Sequence, residues 1–571
     1  MTTAIPPNPV DRGATVVELD ATTRRVVLLL LCIPTVLLTL GIYHGLMQTL
    51  YRAGIIQSSA VLGLGYYQGL TLHGVINALV FTTFFEVAFG YVILAYFLRC
   101  QFAAAWTWSA FALMLGGTLL AAAAMLSGHA SVLYTFYPPL QASPIFYIGA
   151  AALVVGSWIP FFQWIAAYRA WRLANPGKKT PLAVVGILTT FTVWLMATLP
   201  LAYEVVVLLI PWSLGLTTTV DVVLARTLFW FFGHPLVYFW LLPAYVMFYV
   251  MLPQLAGGKL YSDGAGRLAF MLFIVFSCPV GLHHQFGDPG ISAGFKWFHA
   301  TLTFFVALPS FATAFTLAAS LEYAARARGA RGWFRWWGAL PWGDASRFLF
   351  AYFMAGLLLF LFGGITGIIN ASAPMNALVH NTSWIPGHFH TTVGGPVFLS
   401  FLGMTLFLVA QLTGKPVRLP RLNLWVPYLW LLGVALFSTG LSVAGLLGEP
   451  RRTNLGLTYA NAASPLFQPA WSPWSQLTAV GGVIMSLAML AFFVVFFATL
   501  FGRRRNAPAL ALPVAEAYLD EDFAALRNFT PWVAAALALL LIAYAPPIYS
   551  IVSGSAQSMP GYDPSSPVVV P

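Results

Sequence analysis

The sequence is divided into about thirteen apolar segments, and most are long enough to cross a membrane, which takes roughly 20 helical residues. The segments are 26–47, 70–97, 104–126, 143–168, 182–210, 222–252, 268–286, 295–320, 348–370, 384–412, 423–447, 474–500 and 530–552. Only helices and closed barrels satisfy their backbone hydrogen bonds in lipid. Because these segments are continuously apolar and not alternating, they predict an all-α, polytopic membrane protein.

The composition also indicates that lipid is the solvent. Only 8% of the 571 residues are charged and 60% are hydrophobic, whereas soluble chains carry about 25% charge. Residues 1–23 are polar and lack the pattern of a cleaved signal peptide. We therefore predict a cytoplasmic tail at 1–23, a transmembrane domain at 24–552 and an extracytoplasmic tail at 553–571.

The formal net charge of +11 is explained by topology. If the N-terminus is cytoplasmic, all but five of the 27 Lys and Arg residues fall on the cytoplasmic side. The five outer cations are Arg52, Arg226, Lys296, Arg451 and Arg452. The positive-inside rule favours this orientation, which leaves the C-terminus outside. Because the cations mark loops, we expect no nucleic acid partner.

Six of the ten histidines lie near the outer ends of four apolar segments. They are His73, His234, His283, His284, His388 and His390. Ionisable residues within a membrane are functional candidates, and neutral imidazole binds copper and iron. Six at one depth therefore predict metal centres. The three cysteines have no paired spacing, so thiolate zinc sites, iron–sulfur clusters and disulfides are not expected.

The spacing of the histidines separates them into groups. His388 and His390 are about 200° apart on a helix, so their rings leave opposite faces and can serve two cofactors. His283 and His284 are about 100° apart, so they can share one metal with a ligand from another helix. Tyr238 lies one turn beyond His234 and on the same face.

Three motifs carry a resemblance to a known family. They are GHPLVYFWLLPAY at 233–245, PVGLHHQFGDPG at 279–290 and HNTSWIPGHFH at 380–390, and VLYTFYPPL at 132–140 and EPRR at 449–452 extend the pattern. The chain resembles haem–copper oxidase subunit I, most closely the B family of ba-type cytochrome c oxidases. The resemblance implies a helical bundle around two haems and a copper in a prokaryotic plasma membrane. It also implies reduction of dioxygen to water with electrons from cytochrome c, coupled to proton translocation.

The resemblance assigns each histidine to a cofactor. The low-spin haem b would be held by His73 and His390, the high-spin haem, expected to be a-type, by His388, and copper by His234, His283 and His284. Tyr238 matches the tyrosine that the family links covalently to its copper ligand, here His234. It would supply an electron and a proton when the O–O bond breaks.

Haem propionates are the implied partners of four polar residues: Arg451, Arg452, His380 and Asn376. Relatives carry a carboxylate at the position of Asn376, so the proton-loading role of that position is open here. The implied proton path runs through Tyr245, Tyr249, Ser262, Ser310, Thr313 and Thr316. Leu236 stands where the A family has a glutamate, so a single proton channel is expected.

Three alternatives stay open at this point. A nitric oxide reductase of the same superfamily would lack Tyr238 and carry extra glutamates, and a histidine-lined transporter would leave the paired histidines unexplained. A quinol-oxidising relative would differ mainly in another subunit. The expected partners are a subunit II with a binuclear copper centre, cytochrome c, dioxygen and membrane lipid, because this chain has no paired-cysteine copper motif.

Overall fold

The computed structural model describes residues 15–58, 64–454 and 461–554, and this part of the chain is almost entirely helical. Within these described ranges, twelve helices are long and apolar enough to cross a membrane. They are α1 (Ala21–Arg52), α2 (Tyr66–Leu98), α3 (Ala104–Leu126), α4 (Pro144–Ala174), α5 (Leu182–Ser213), α6 (Val222–Val250), α8 (Ala293–Arg326), α9 (Ala345–Ala371), α10 (Trp384–Thr413), α11 (Pro420–Leu446), α12 (Pro469–Leu500) and α13 (Thr530–Val552).

The remaining predicted segment, 268–286, corresponds to the shorter α7, Asp263–Phe276. Pro279 follows α7, and a 3₁₀ turn at Gly281–Gln285 replaces its expected last turns. Proline lacks the backbone N–H that would continue a helix. The predicted all-α membrane architecture is therefore confirmed, with one segment shorter than expected. Residues 1–14 and 555–571, which make up most of the two predicted tails, lie outside the described residues.

Side-chain caps mark where several apolar helices begin. The Asp20 carboxylate accepts the Thr23 N–H at 2.9 Å, and Asp221 accepts the Leu224 N–H at 2.9 Å. Such caps satisfy N–H groups that have no partner within the helix. The apolar runs of α1 and α6 therefore begin directly after polar residues.

Small residues allow neighbouring helices to approach closely. A Cβ atom added to Gly117 on α3 would lie 2.4 Å from the carbonyl oxygen of Gly149 on α4. On α12, a Cβ at Gly481 would lie 2.6 Å from the carbonyl oxygen of Gly433 on α11. Any larger residue would separate these pairs, which pack by the small-residue contacts typical of membrane helices.

In the described part of the chain, three membrane helices contain π-helical turns, at Val75–Val80 in α2, Glu204–Leu209 in α5 and Val393–Val397 in α10. The first begins two residues after His73 and the third begins three residues after His390. A π turn changes the register of a helix and is frequent at functional sites. The two predicted low-spin haem ligands therefore both lie beside such a change of register.

A short parallel sheet lies at the opposite end of the bundle from the histidines. β1 (Leu260–Ser262) pairs with β2 (Ala517–Leu519), so residues far apart in sequence meet there. The Ala515 N–H also donates to the Val250 carbonyl at 2.7 Å, at the end of α6. The segment between α12 and α13 is thereby held across this end.

Candidate active site

Three histidines converge where α6 meets the 3₁₀ turn Gly281–Gln285. Ligand atoms of His234, His283 and His284 all lie within 4.8 Å of one another. The Nδ1 atom of His234 is 3.0 Å from Nε2 of His284, and the His234 and His283 ring centroids are 4.6 Å apart. Three imidazoles at this spacing form a donor set suited to copper.

Neighbouring side chains orient this cluster. Thr303 on α8 lies 2.9 Å from Nδ1 of His283, which leaves Nε2 of that ring to face the cluster. Trp230 stacks on His284 with centroids 4.1 Å apart and an interplanar angle of 12°. Metal-binding imidazoles are normally fixed by a hydrogen bond to their other ring nitrogen, as the Thr303 hydroxyl fixes His283. The neighbouring side chains therefore orient these rings as they would orient the ligands of a metal.

Tyr238 lies beside the cluster on α6. Its ring centroid is 5.0 Å from that of His234, as the one-turn spacing predicts. Nε2 of His234 is buried and has no hydrogen-bond partner among the described residues. With Nδ1 directed at His284, the second nitrogen of His234 is free for the bond to Tyr238 that the resemblance implies.

His388 faces the three-histidine cluster across a cavity of about 300 Å³. The hydroxyl of Thr366 on α9 lies 2.8 Å from Nδ1 of His388 and fixes that ring. Gly364 and Gly367 line the same wall, and a Cβ at Gly367 would lie 3.4 Å from the His388 ring. The glycines leave space that a larger side chain would fill, which fits a flat macrocycle beside His388.

His73 and His390 form a separate pair on the other side of α10. Their ring centroids are 6.1 Å apart and their planes differ by 16°. Nδ1 of His73 lies 2.8 Å from the Gly41 carbonyl, and Nδ1 of His390 lies 2.7 Å from the Pro386 carbonyl. An Nδ1–H donated to a carbonyl leaves Nε2 as the metal-binding nitrogen. In both rings Nε2 is therefore the nitrogen left free to bind a metal.

Two arginines lie beside the cavity, and neither forms an ion pair with a carboxylate of the residues that the structure describes. Burial and the neighbouring Arg452 lower the pKa of Arg451 to about 10. Arg451 lines the cavity together with His380, and the Arg452 guanidinium lies 5.6 Å from the Tyr134 ring centroid. Such cations fit carboxylate groups of a bound cofactor through charge-assisted hydrogen bonds.

Asn376 lines the same cavity. Its amide nitrogen donates to the Asn370 carbonyl at 2.7 Å, while its buried Oδ1 has no hydrogen-bond partner among the described residues. The Asn376 backbone carbonyl accepts the His380 N–H at 2.7 Å. Asn376 therefore fixes the segment that carries His380 and presents a neutral acceptor to the cavity.

The sequence reasoning missed an ion pair beside this region. Arg226 lies 2.9 Å from a carboxylate oxygen of Asp288, and Lys296 donates to the backbone carbonyl of Asp288 at 2.5 Å. The Gln285 amide donates to the other carboxylate oxygen of Asp288 at 3.1 Å. These bonds fix the turn that carries His283 and His284. In the sequence, this contact was indicated only by the outer cations Arg226 and Lys296, which served above as evidence for the topology.

A series of hydroxyl groups leads from Tyr238 toward the opposite end of the bundle. The Tyr245 hydroxyl donates to Ser310 at 3.3 Å, and the Tyr249 hydroxyl donates to Thr313 at 2.7 Å. These bonds pair residues of α6 with residues of α8. Thr316 lies buried one turn beyond Thr313 on the face that continues toward the sheet.

Ser262, the last residue of the predicted path, contacts a carboxylate that the sequence reasoning also missed. The Ser262 hydroxyl lies 3.0 and 3.1 Å from the two oxygens of Glu521, and the Gly264 N–H donates to the same group at 3.1 Å. Glu521 belongs to an acidic run between α12 and α13, 259 positions from Ser262. The parallel pairing of β1 and β2 brings the two segments together, and Lys179 bonds to both of them, so no local pattern could reveal the contact.

Comparisons with known proteins agree with this geometry. The family described as "Cytochrome C and Quinol oxidase polypeptide I" matches residues 25–484. The chain is 43% identical over 509 residues to cytochrome c oxidase subunit 1 of Thermus thermophilus, covering 87% of this chain and 88% of that protein. It is 29% identical over 489 residues to haem–copper oxidase subunit I+III of Aeropyrum pernix, covering 80% of this chain and 54% of that protein.

A solved structure is similar over almost the whole fold. The cryo-EM structure of a haem–copper terminal oxidase dimer superposes with a TM-score of 0.91 at 49% identity and covers 93% of both chains. The chain therefore belongs to the cytochrome c and quinol oxidase polypeptide I family, and it is the catalytic subunit of a haem–copper terminal oxidase.

Proposed function

We propose that the cavity between His388 and the cluster of His234, His283 and His284 is where this subunit reduces dioxygen to water. The observation that carries the proposal is this arrangement, in which three oriented imidazoles face a fourth across one cavity. When bound, the haems and copper supply the electron transfer and dioxygen binding that protein side chains lack.

The cofactor assignment follows from the two groups of rings. We assign a low-spin haem b to His73 and His390, a high-spin haem of a-type to His388, and copper to the three-histidine cluster. Two axial imidazoles close a haem to ligands and suit it to electron transfer, whereas one leaves a face open. Arg451, Arg452, His380 and Asn376 would hold the propionates.

The chain's own contribution to the reaction is orientation and proton supply. Thr303 and Thr366 hold the rings of His283 and His388 at fixed angles, so that both cofactors keep their ligands as charge changes. Tyr238 holds a proton on its hydroxyl oxygen at the edge of the cavity. Aromatic residues such as Trp230 line the cavity and make most of its wall apolar.

Protons reach Tyr238 from the end of the bundle that carries the sheet. We propose the order Glu521, Ser262, Thr316, Thr313 with Tyr249, and Ser310 with Tyr245. Hydroxyl groups both donate and accept, so with ordered water between them they can pass a proton without moving far. Glu521 extends the predicted path to a carboxylate that can collect protons from the aqueous side.

The orientation of the chain follows from the charges. Four of the five predicted outer cations form ion pairs, stacking contacts or backbone hydrogen bonds at the end of the bundle near the histidines: Arg52, Arg226, Arg452 and Lys296. We propose that this end faces outward, that the N-terminus is cytoplasmic, and that protons enter from the cytoplasm. A subunit II with a binuclear copper centre would dock at the outer end and deliver electrons from cytochrome c.

We further propose that the enzyme belongs to the B family of ba-type oxidases. Tyr238 beside His234 favours an oxidase over a nitric oxide reductase, because the reductases lack this tyrosine. Leu236 is apolar where the A family carries a glutamate, which favours the single hydroxyl path.

The test is dioxygen consumption by the purified complex in sealed proteoliposomes, with reduced cytochrome c as the external donor and a quinol as the alternative. We expect rapid consumption with cytochrome c and acidification outside the vesicles. Faster turnover with quinol would replace the proposed donor, and turnover of nitric oxide without turnover of dioxygen would contradict the proposed reaction.

A further inference from the structure

A buried ion pair joins the end of α1 to the loop that carries the two propionate arginines. Arg52 donates to Glu449 at 2.8 Å, and the Glu449 side chain is only 2% exposed. Arg52 also donates to the Pro450 carbonyl at 3.1 Å and to the Thr453 hydroxyl at 3.1 Å. One guanidinium therefore contacts the loop on both sides of Arg451 and Arg452.

Glu449 connects the same loop to the start of α10. Its second oxygen accepts the Ser383 hydroxyl at 2.6 Å, and its backbone carbonyl accepts the Ser383 N–H at 2.7 Å. Ser383 immediately precedes α10, which carries His388 and His390. The carboxylate is thus placed between the arginine loop and the helix that holds two of the three predicted haem ligands, His388 and His390.

The arginine loop needs such support because of its backbone. Arg452 has a φ of 61°, a left-handed conformation that is costly for a residue with a side chain. Arg451 is tied to Asn381, which has a φ of 59°, through a backbone bond of 3.0 Å and a side-chain bond of 2.9 Å. Strained conformations persist only where neighbouring contacts fix them.

We propose that Arg52 and Glu449 form a latch that positions Arg451 and Arg452 toward the haem propionates and so sets the potential of the low-spin haem. The inference rests on the proposed propionate role of these two arginines. Arg52 and Glu449 are positioning residues, because their contacts reach the loop and not the cavity. Cations held near a haem favour its reduced state, so releasing them lowers its midpoint potential.

The test compares Arg52→Met with Glu449→Gln in the purified complex, by spectroelectrochemical titration of the low-spin haem. The latch predicts that both variants lower the midpoint potential, since each one releases the loop. A direct charge effect predicts opposite shifts, because one variant removes a positive charge and the other a negative charge. Opposite shifts, or two unchanged potentials, would overturn the latch and leave the proposed function intact.

Two further variants complete the design. Arg52→Lys keeps the charge but not the forked donors, so we expect a smaller shift than for Arg52→Met. Arg347→Met removes another buried arginine, 3.3 Å from Asp344 at the opposite end of the bundle, and should leave the potential unchanged. If Arg52→Met fails to assemble, the nearly isosteric Glu449→Gln still decides the direction. A wild-type complex without a low-spin haem would instead contradict the proposed function itself.

Discussion

Replacement of Tyr249 by Phe is the change that most sharply tests the hydroxyl path. Tyr249 is fully buried, and its hydroxyl donates to the buried Thr313 at 2.7 Å. A hydrogen bond in which one partner is charged is worth about 1.5–3 kcal/mol, and a bond that carries a proton in transit is of this kind. Because about 1.4 kcal/mol is a factor of ten in rate, proton delivery should slow between about tenfold and about 150-fold.

The chain offers a matched control for this variant. Tyr352 is also fully buried, and its hydroxyl donates to Asn423 at 2.8 Å, away from the proposed path. Both Tyr→Phe changes should cost about 0.5–1.5 kcal/mol of stability through one lost neutral hydrogen bond. Only Tyr249→Phe should slow proton uptake, followed with a pH dye after photolysis of carbon monoxide in the presence of dioxygen. Uptake within twofold of wild type in Tyr249→Phe would refute the path.

Three more variants test individual contacts. Glu521→Gln should slow steady-state dioxygen consumption, because the Ser262 hydroxyl would then contact an amide that does not collect protons. The control Glu322→Gln, which changes an exposed pair with Arg326, should leave dioxygen consumption unchanged. Equal rates in the two variants would exclude Glu521 from the path. Thr366→Val should weaken retention of the high-spin haem by about 10- to 100-fold, because His388 would lose the hydrogen bond that orients its ring. Haem extraction measures this retention. An unchanged haem content would contradict the proposed role of Thr366. His283→Ala should remove copper and leave both haems, measured by metal analysis; full copper occupancy would contradict the assignment.

Much of the fold followed from the sequence because lipid imposes simple rules. Continuous apolar segments had to become helices, and the structure bears out all but the ending of one. The exception, α7, ends at Phe276, before the 3₁₀ turn that carries His283 and His284. That turn lets two adjacent rings approach one metal position, which the hydropathy of the segment could not indicate.

The grouping of the site histidines could be predicted from the sequence because spacing along a helix determines the face from which each side chain projects. The two-residue interval of His388 and His390 predicts rings on opposite faces, and the structure pairs one with His73 and directs the other to the cavity. The contact of Glu521 with Ser262 and the contact between Arg52 and Glu449 could not be predicted from the sequence. These contacts join residues hundreds of positions apart, and their partners depend on how loops cross the ends of the bundle.

We propose that this chain holds two haems and one copper at the assigned histidines. The most direct measurement is a reduced-minus-oxidised optical spectrum of the purified complex, with and without carbon monoxide, together with iron and copper analysis. We expect a b-type low-spin band that carbon monoxide leaves unchanged, a second haem that shifts with carbon monoxide, and copper in addition to haem iron. A third, non-haem iron in place of copper would contradict the copper site. A spectrum without haem would contradict the assignment of all six histidines.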